Sequence, residues 1–271
     1  MDKKSISLIC SDIDGTLLNK ERQLSEKTIS QIKKNNDKPF ILISSRMPAA
    51  LKHLQEELDI TNLPIIAYNG GLIINQGKII STTEIEHTIT SNLVDFCSEK
   101  KLHISLYHND EWYVDEYDYW ADREANNTKV KPTVQAYATS IDLWEKENKG
   151  AHKLMVMGDA DKIDELVKLI TEKFDDQIIG YRSKDTYLEI AHKSISKKTA
   201  IKELIENVYP QFSFEQVMAF GDNYNDIEML KAVGIGVAVA NARPEVLEIS
   251  NATTDKNIED GVANFIESYF S

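Results

Sequence analysis

Cysteine is scarce in this 271-residue sequence, which contains only Cys10 and Cys97, far apart in the chain. Two distant thiols build neither a disulfide framework nor a clustered zinc site, so we predict that both are reduced core residues. The sequence also lacks any apolar run of the roughly 20 residues that a membrane-spanning helix needs. Because the polar segment 1–7 contains no cleavable apolar stretch either, we expect a cytoplasmic protein.

Basic residues are in the minority, with 31 Lys and Arg against 44 Asp and Glu and a formal net charge of −13. Proteins that grip nucleic acid or anionic lipid usually present a broad basic face. This charge balance disfavours both kinds of partner, so we expect no nucleic acid and no membrane among them. The chain length suits one large domain or two modest ones, and we expect a monomer or a weak homodimer.

Apolar runs alternate with helical patterns along the first third of the chain. The runs at residues 6–11, 39–43 and 64–67 are typical of short buried strands, and the intervening segments have the spacing of helices. Strands that alternate with helices predict a parallel sheet with right-handed crossovers. The predicted fold class is therefore α/β, with a Rossmann-like, doubly wound parallel sheet that binds ligands beyond the carboxyl ends of its strands.

The same alternation returns between residues 197 and 239, whereas the segment in between has a different pattern. That segment combines alternating strand candidates, an aromatic and acidic stretch, and a helix that precedes two further strands. This combination is typical of an α+β module. We therefore predict a discontinuous core, residues 1–82 and 192–271, with an inserted α+β cap domain at residues 83–191.

Two aspartates, Asp12 and Asp14, follow the first predicted strand, with Gly15 next to them. Alternate residues at a strand end can aim both carboxylates into one crevice, and Gly15 lets the backbone turn sharply beside them. One carboxylate can then accept a phosphoryl group as an acyl phosphate while the other transfers protons. The alternative is an aspartate-rich turn that only ends the strand.

Hydroxyl and basic side chains follow the second predicted strand, at Ser44, Ser45 and Arg46. A hydroxyl at the start of a helix can bind a phosphate oxygen together with the unpaired backbone amides there. Arg46 can clamp a phosphate or a carboxylate through two parallel hydrogen bonds. The alternatives are an ordinary helix N-cap for the serine and a surface position for the arginine.

Oxygen-bearing side chains follow the strand predicted at residues 216–220, namely Asp222, Asn225 and Asp226. Such a cluster suits Mg²⁺, which takes one or two protein carboxylates beside a substrate phosphate. A turn followed by a capped helix is the alternative. Lys197, at the start of another predicted helix, carries no signal by itself, since most lysines are solvated surface charges.

Taken in this order, these segments resemble the haloacid dehalogenase-like superfamily, in particular its Cof-type sugar-phosphatase branch with an inserted C2-type cap. The resemblance extends over nearly the whole chain. It implies that Asp12 is the nucleophile and that Asp14 is the general acid/base. It also implies that Ser44 and Lys197 are catalytic residues at the phosphoryl group. The implied Mg²⁺ ligands are Asp12, the backbone carbonyl of Asp14, and Asp222.

The resemblance further implies supporting roles around this site. The supporting residues for metal and phosphate are Asn225 and Asp226, and those for the substrate are Ser45, Arg46, Asn69 and Gly70. Two positions depart from the branch, because Ser45 stands where it usually has Gly and Lys198 stands where Gly commonly follows the motif lysine. Both departures add a side chain near the predicted phosphate pocket. Further similarity lies in the segments 157–159, 241–245 and 257–261.

The combined prediction is a Mg²⁺-dependent phosphatase that hydrolyses a small phosphorylated metabolite, such as a sugar phosphate, through an aspartyl-phosphate intermediate. The cap is expected to act as a lid that excludes water. It is also expected to contact the part of the substrate beyond its phosphate and so to set specificity. The alternatives are a phosphotransferase or phosphomutase of the same architecture and a non-catalytic sensor of a phosphorylated ligand. We interpret four histidines as structural or solvent-exposed, since none forms a ligand pair at helical or hairpin spacing: His103, His108, His152 and His192.

Overall fold

The computed structural model describes residues 4–271, apart from the side chain of Ser183, so the start of the polar segment 1–7 lies outside the described residues. The chain divides into two compact units. The first unit consists of a segment that ends at Arg46, of Leu51–Ser81 and of Ser196–Ser271, and the second consists of Met47–Ala50 and Thr82–Ile195. Among residues 4–271, no helix is both long enough and apolar enough to span a membrane.

The described part of the chain forms strands and α-helices in the following order. The strands are β1 (Leu8–Ser11), β2 (Phe40–Ile43), β3 (Ile65–Ala67), β4 (Leu72–Asn75), β5 (Lys78–Thr82), β6 (His103–His108), β7 (Glu111–Val114), β8 (Thr133–Val134), β9 (Lys153–Met157), β10 (Ile178–Lys184), β11 (Tyr187–His192), β12 (Val217–Gly221), β13 (Ile235–Val239) and β14 (Ala252–Thr254). The helices are α1 (Glu26–Lys34), α2 (Ala49–Leu58), α3 (His87–Lys100), α4 (Tyr119–Thr128), α5 (Tyr137–Lys146), α6 (Ala160–Lys173), α7 (Lys197–Asn207), α8 (Ile227–Ala232), α9 (Pro244–Ile249) and α10 (Gly261–Phe270).

The first unit is built on a sheet with the strand order β14-β13-β12-β1-β2-β3-β4-β5. Each strand from β14 to β3 is parallel to its neighbours in this order, and β4 is antiparallel to β3. β1 lies in the middle of the parallel part, and all four of its residues are buried. A short strand that is buried on both faces reads as a continuous apolar run. The predicted α/β fold with a parallel sheet is confirmed.

The strands β1, β2 and β12 end at the same edge of this sheet. Ser11, the last residue of β1, is in register with Phe220 of β12 and with Leu42 of β2. Because the three strands are parallel, the chain leaves each of them at that edge. The segments that follow them in sequence are the polar segments that carry the predicted site residues.

Helix α7 begins with a reciprocal cap that fixes its first residue, Lys197. Ser196 Oγ accepts a hydrogen bond from the backbone N–H of Thr199, and Thr199 Oγ1 accepts one from the N–H of Ser196. This cap satisfies N–H groups that the start of a helix otherwise leaves unpaired. The buried face of α7 includes Ala200 and Leu204, at the four-residue spacing of an amphipathic helix.

The second unit has its own sheet, with the strand order β10-β11-β9-β6-β7-β8. Neighbouring strands are antiparallel, except that β7 and β8 are parallel. Apolar residues of α3, α5 and α6 pack with those of the sheet into a separate core, in which Trp144 is fully buried. The second unit contains the predicted insert, whose bounds and role as a cap domain stay predictions.

Candidate active site

Regular sheet hydrogen bonding fixes the backbone positions of two predicted site residues, Asp12 and Ser44. The N–H of Asp12 donates to the carbonyl of Phe220 at 3.0 Å, which extends the ladder between β1 and β12 by one residue. The N–H of Ser44 donates to the carbonyl of Ile66 at 3.0 Å and extends the ladder between β2 and β3 in the same way. Both side chains therefore start from rigid positions at the edge where these strands end.

Lys197 lies between two aspartates in the interior of the first unit. Its Nζ donates to Asp12 Oδ1 at 2.5 Å and to Asp226 Oδ1 at 2.6 Å. The side chains of Lys197 and Asp226 are fully buried, and that of Asp12 is nearly so. An ammonium group in this position neutralises two carboxylates that would otherwise repel each other at short range. Three residues that lie far apart in the sequence thus meet in one cluster.

Burial and charge together set the pKa values of this cluster. Burial raises the pKa of Asp12 well above its ordinary value, with Lys197 opposing this shift and the charges of Asp226 and Asp222 adding to it. Burial alone lowers the pKa of Lys197, but its two carboxylate partners outweigh burial and raise it. Burial and the charge of Asp226 raise the pKa of Asp222 to about 6. A further positive charge beside these carboxylates would keep them ionised.

The carboxylates of this cluster fit a hard divalent cation. Asp12, Asp222 and Asp226 each offer one oxygen, and these oxygens lie within 4.8 Å of one another. Asp12 Oδ2 is buried and has no hydrogen-bond partner among the residues that the structure describes. A buried carboxylate oxygen is costly unless a donor or a cation meets it. Since Mg²⁺ prefers carboxylate oxygens, the residues present fit this ion.

Asp226 supports the cluster indirectly, because the protein itself engages both of its oxygens. Oδ1 accepts from Lys197, and Oδ2 accepts the backbone N–H groups of Asp222 and Asn223 at 2.9 and 3.0 Å. Gly221 is required at the end of β12, since a Cβ there would lie 2.6 Å from Asp226 Cβ. Asp226 therefore orients Lys197 and fixes the backbone that carries Asp222.

Asp222 lies against the segment that follows β1. Thr16 Oγ1 donates to Asp222 Oδ1 at 3.1 Å. Gly15 has a φ of +90°, and a Cβ at this position would lie 2.5 Å from Asp222 Oδ2. A side chain here would strain the backbone and collide with the carboxylate, so only glycine fits. The close approach brings the segments after β1 and β12 into one site.

Asp14 pairs with arginine side chains. Arg46 Nε donates to Asp14 Oδ2 at 2.7 Å and Arg46 Nη2 donates to Oδ1 at 2.6 Å, while Arg22 Nη1 lies 3.5 Å from Oδ1. Burial raises the pKa of Asp14, but the hydrogen bonds and the charge of Arg46 outweigh burial and lower the pKa. The sequence left open whether Arg46 clamps a phosphate or a carboxylate or lies on the surface. Its side chain is buried here and clamps the carboxylate of Asp14.

The other predicted residues lie on the segments after β2, β3 and β12. Ser44 is buried, its Oγ accepts the N–H of Arg46 at 3.2 Å, and its carbonyl accepts the N–H of Asn69 at 2.8 Å. Asn69 Oδ1 accepts from Asn225 Nδ2 at 3.1 Å, which links the segments after β3 and β12. Two further predicted residues lie next to these in sequence, half-buried Ser45 and buried Gly70.

Two asparagines that the sequence did not assign to the site hold the segment after β1. Asn241 Nδ2 donates to the carbonyl of Gly15 at 2.8 Å, and Asn257 Nδ2 donates to that of Leu18 at 2.8 Å. The backbone N–H of Asn257 in turn donates to Asn241 Oδ1 at 2.8 Å. Two features of the sequence could have pointed to these asparagines. Asn241 lies just beyond β13, and the segments that contain both asparagines share in the family resemblance.

A second group of potential metal ligands lies in the second unit, at Glu84, His108 and His152. His152 Nδ1 accepts the N–H of Asn109 at 3.1 Å, so its Nε2 carries the proton and donates to a threonine hydroxyl at 2.9 Å. His108 Nδ1 faces the carbonyl of Gly150 at 2.8 Å and therefore also carries a proton. His152 Nε2 and His108 Nδ1 each lie 3.8 Å from a carboxylate oxygen of Glu84. Because both nitrogens are donors here, the contacts described for this group are those of a hydrogen-bond network.

Comparisons with known proteins assign the chain to a family. The sequence model of the family described as haloacid dehalogenase-like hydrolase matches residues 9–266. A 5-amino-6-(5-phospho-D-ribitylamino)uracil phosphatase of Bacillus subtilis is 30% identical over 274 residues, which cover 97% of this chain and 96% of that protein. A Haemophilus influenzae protein with a provisional phosphatase name is 33% identical over 267 residues, which cover 97% of each chain.

A solved structure extends the similarity to the fold. A haloacid dehalogenase-like hydrolase from Bacteroides thetaiotaomicron has a TM-score of 0.89 at 28% identity, and the match covers 97% of this chain and 99% of that one. The family match and the similarity in fold confirm the resemblance that the motifs predicted. The chain therefore belongs to the haloacid dehalogenase-like hydrolase family and is an enzyme of its phosphatase class.

Proposed function

We propose that the chain is a Mg²⁺-dependent phosphatase that hydrolyses small phosphorylated metabolites through a phosphoryl intermediate on Asp12. One observation carries this proposal. One carboxylate oxygen of Asp12 accepts a hydrogen bond from the Lys197 ammonium. The other oxygen is buried and has no hydrogen-bond partner among the described residues. A carboxylate held in this way is oriented and charge-balanced, and it keeps one oxygen for chemistry or for a cation.

The proposed metal ligands are Asp12, the backbone carbonyl of Asp14, and Asp222. When bound, Mg²⁺ would neutralise charge on the carboxylates and on the substrate phosphate and would favour ionised Asp12. The clustered oxygens of Asp12, Asp222 and Asp226 support this assignment. Asp226 and Asn225 are proposed to support the site, since Asp226 already binds Lys197 and two backbone N–H groups.

In the proposed first step, an oxygen of Asp12 attacks phosphorus and forms an O–P bond. The bond from phosphorus to the leaving alcohol breaks, and the alcohol oxygen takes a proton from Asp14. Lys197 and Ser44 are proposed to hold the phosphoryl oxygens, with Ser45, Asn69 and Gly70 beside the substrate. The Lys197 ammonium offsets the negative charge that spreads over these oxygens in the transition state.

In the proposed second step, water attacks the phosphorus of the phosphorylated Asp12. Asp14, now a carboxylate, takes a proton from this water, the bond from phosphorus to Asp12 breaks, and inorganic phosphate leaves. The Arg46 hydrogen bonds and the lowered pKa of Asp14 favour the carboxylate form that this step needs and disfavour the protonated form that the first step needs. The proton that Asp14 takes from water here is the one that it donates to the leaving alcohol in the next turnover. Transfer to a second alcohol instead of water would make the enzyme a phosphotransferase or phosphomutase.

The proposed substrate class is a sugar phosphate or a related phosphorylated polyol in the cytoplasm. The Bacillus subtilis relative is named for a phosphorylated ribityl compound, which supports this class. The second unit is proposed to act as the cap domain, which would contact the part of the substrate beyond its phosphate and set specificity.

Replacement of the nucleophile tests the proposal. Asp12→Asn should lower the turnover of p-nitrophenyl phosphate by about 10⁴-fold or more, as loss of a nucleophile typically does. The matched control is Asp37→Asn, which changes an exposed aspartate and should keep wild-type turnover. Removal of divalent metal with EDTA should abolish activity, and added Mg²⁺ should restore it. Activity of Asp12→Asn near that of its control would overturn the proposed role of Asp12.

Measurement of inorganic phosphate separates the alternatives. For a hydrolase, the phosphate released from a sugar phosphate should equal the substrate consumed. A deficit that appears when a second sugar is added would indicate transfer. Absence of turnover across a panel of phosphorylated metabolites and p-nitrophenyl phosphate would overturn the proposed substrate class.

A further inference from the structure

The two side chains of the Arg46–Asp14 ion pair differ in how deeply they are buried. The Arg46 side chain is only 6% exposed, whereas the Asp14 side chain is 41% exposed. Two N–H groups of the guanidinium meet the two carboxylate oxygens separately, at 2.7 and 2.6 Å. Two parallel charge-assisted hydrogen bonds fix the plane of a carboxylate as well as its position.

Arg46 is itself anchored through its backbone. Its N–H donates to Ser44 Oγ at 3.2 Å, and its carbonyl accepts the N–H of Tyr68 at 3.1 Å. Asp14 instead precedes Gly15, whose positive φ places it in a turn that follows β1. A buried guanidinium on an anchored backbone segment can therefore fix a more exposed carboxylate.

We propose that Arg46 is a positioning residue that holds the Asp14 carboxylate in the orientation from which it transfers protons. This inference rests on the proposed function, because it gives Asp14 the acid/base role. Under this proposal Arg46 acts through Asp14 and is not a ligand of the substrate phosphate, which revises its sequence-based assignment to substrate binding. A displacement of about 1 Å in a catalytic group can cost roughly 10²-fold in rate.

A double-mutant cycle tests whether Arg46 acts through Asp14. Arg46→Gln should lower kcat for p-nitrophenyl phosphate by about 100-fold with little change in KM. In an Asp14→Asn background the same substitution should lower kcat by less than about twofold, since its target is already absent. The Asp12→Asn protein, purified in the same way, sets the background rate.

The burst of p-nitrophenolate separates the two steps of the reaction. This leaving group needs little protonation, so a misplaced Asp14 should slow the second step much more than the first. Arg46→Gln and Asp14→Asn should therefore both keep a rapid burst and lose steady-state turnover. A substrate-binding arginine would behave differently, because its loss would raise KM, slow the burst and weaken inhibition by inorganic phosphate.

Arg22→Gln is the matched control, because Arg22 meets the same carboxylate through a single contact of 3.5 Å and is 47% exposed. Its kcat should fall far less than that of Arg46→Gln, as expected for an exposed ion pair. Arg46→Lys keeps the charge without the two parallel bonds and should recover only part of kcat. If Arg46→Gln fails to fold, Arg46→Lys replaces it in the double-mutant cycle with Asp14→Asn.

The outcomes distinguish this inference from the proposed function. A wild-type enzyme without metal-dependent turnover of p-nitrophenyl phosphate would overturn the proposed function itself. An active wild type in which Arg46→Gln lowers kcat equally in both backgrounds, or slows the burst, would overturn only the role of Arg46.

Discussion

At the scale of single residues, the charge state of Asp12 depends on Lys197. Burial and two neighbouring carboxylates favour the protonated form of Asp12, and the ammonium of Lys197 acts against them. Lys197 is fully buried and donates to both Asp12 and Asp226. Removal of the ammonium would leave two buried carboxylates close together without a counter-charge, which is strongly destabilising.

We predict that Lys197→Met abolishes activity and lowers the free energy of unfolding by about 3–5 kcal/mol. The matched control is Lys202→Met on the same helix, because the Lys202 side chain is 61% exposed and should tolerate the change. Urea unfolding and p-nitrophenyl phosphate turnover measure the two effects. Adding Asp226→Asn to Lys197→Met should restore part of the stability and none of the activity. Equal stability and activity of the two methionine variants would contradict this account.

At the scale of secondary-structure elements, the turn after β3 and the helix α7 are in close contact. Gly70 has a φ of +108°, and a Cβ there would lie 2.7 Å from Ala200 Cβ and 3.0 Å from the carbonyl of Ser196. Both neighbours belong to the start of α7, which carries Lys197. A side chain at position 70 would therefore push the helix that presents the ammonium to Asp12.

We predict that Gly70→Ala destabilises the protein more than Gly77→Ala and also lowers kcat. Both glycines have a positive φ, so each substitution should cost about 1–2 kcal/mol from backbone strain. A Cβ at Gly77 meets no atom within 4 Å, whereas a Cβ at Gly70 meets α7 and should add about 1–3 kcal/mol. Thermal unfolding and kcat measure the difference. Identical effects of the two substitutions would show that the contact with α7 is unimportant.

Local sequence patterns predicted some elements well and others not at all. The strands β1, β2 and β12 are fully buried apolar runs, so their pattern was clear. The strand β5 was missed because its residues are half-buried or exposed. The helix α4 was missed because its buried stripe is only Ala121, Ala125 and Thr128 within a polar and aromatic segment.

The same limit applies to the candidate site. The motifs located Asp12, Ser44 and Asp222 because each directly follows a buried strand. The contact of Lys197 with Asp226 and that of Arg46 with Asp14 join separate segments, and no local pattern encodes them. Only the family resemblance indicated Lys197, and nothing in the sequence indicated that the partner of Arg46 is a residue of the same chain.

At the scale of the whole molecule, the chain forms two units with separate sheets. The second unit contains buried His152, whose pKa is lowered from 6.5 to about 3 by burial and by the charge of His108. The unfolded chain therefore binds more protons than the folded chain between these pH values. This contribution to stability is fully present above pH 6.5 and is lost as the pH falls toward 3.

We predict that the second unit loses about 2 kcal/mol of stability through His152 between pH 7 and pH 5. All three tryptophans of the sequence lie in this unit, so tryptophan fluorescence during urea unfolding reports on it. His152→Gln should flatten the pH dependence, whereas His87→Gln, at a 40% exposed position, should leave it as in wild type. An equal pH dependence in the two variants would contradict the role of His152.

The proposed mechanism requires that Asp12 carries the phosphoryl group during turnover. The most direct test is to quench the enzyme in acid during turnover of p-nitrophenyl phosphate and to map its peptides by mass spectrometry. We expect one added phosphoryl group on the peptide that contains Asp12, with none in the Asp12→Asn protein. Steady turnover without any phosphorylated peptide, or with the phosphoryl group on another residue, would overturn the role of Asp12 as the nucleophile.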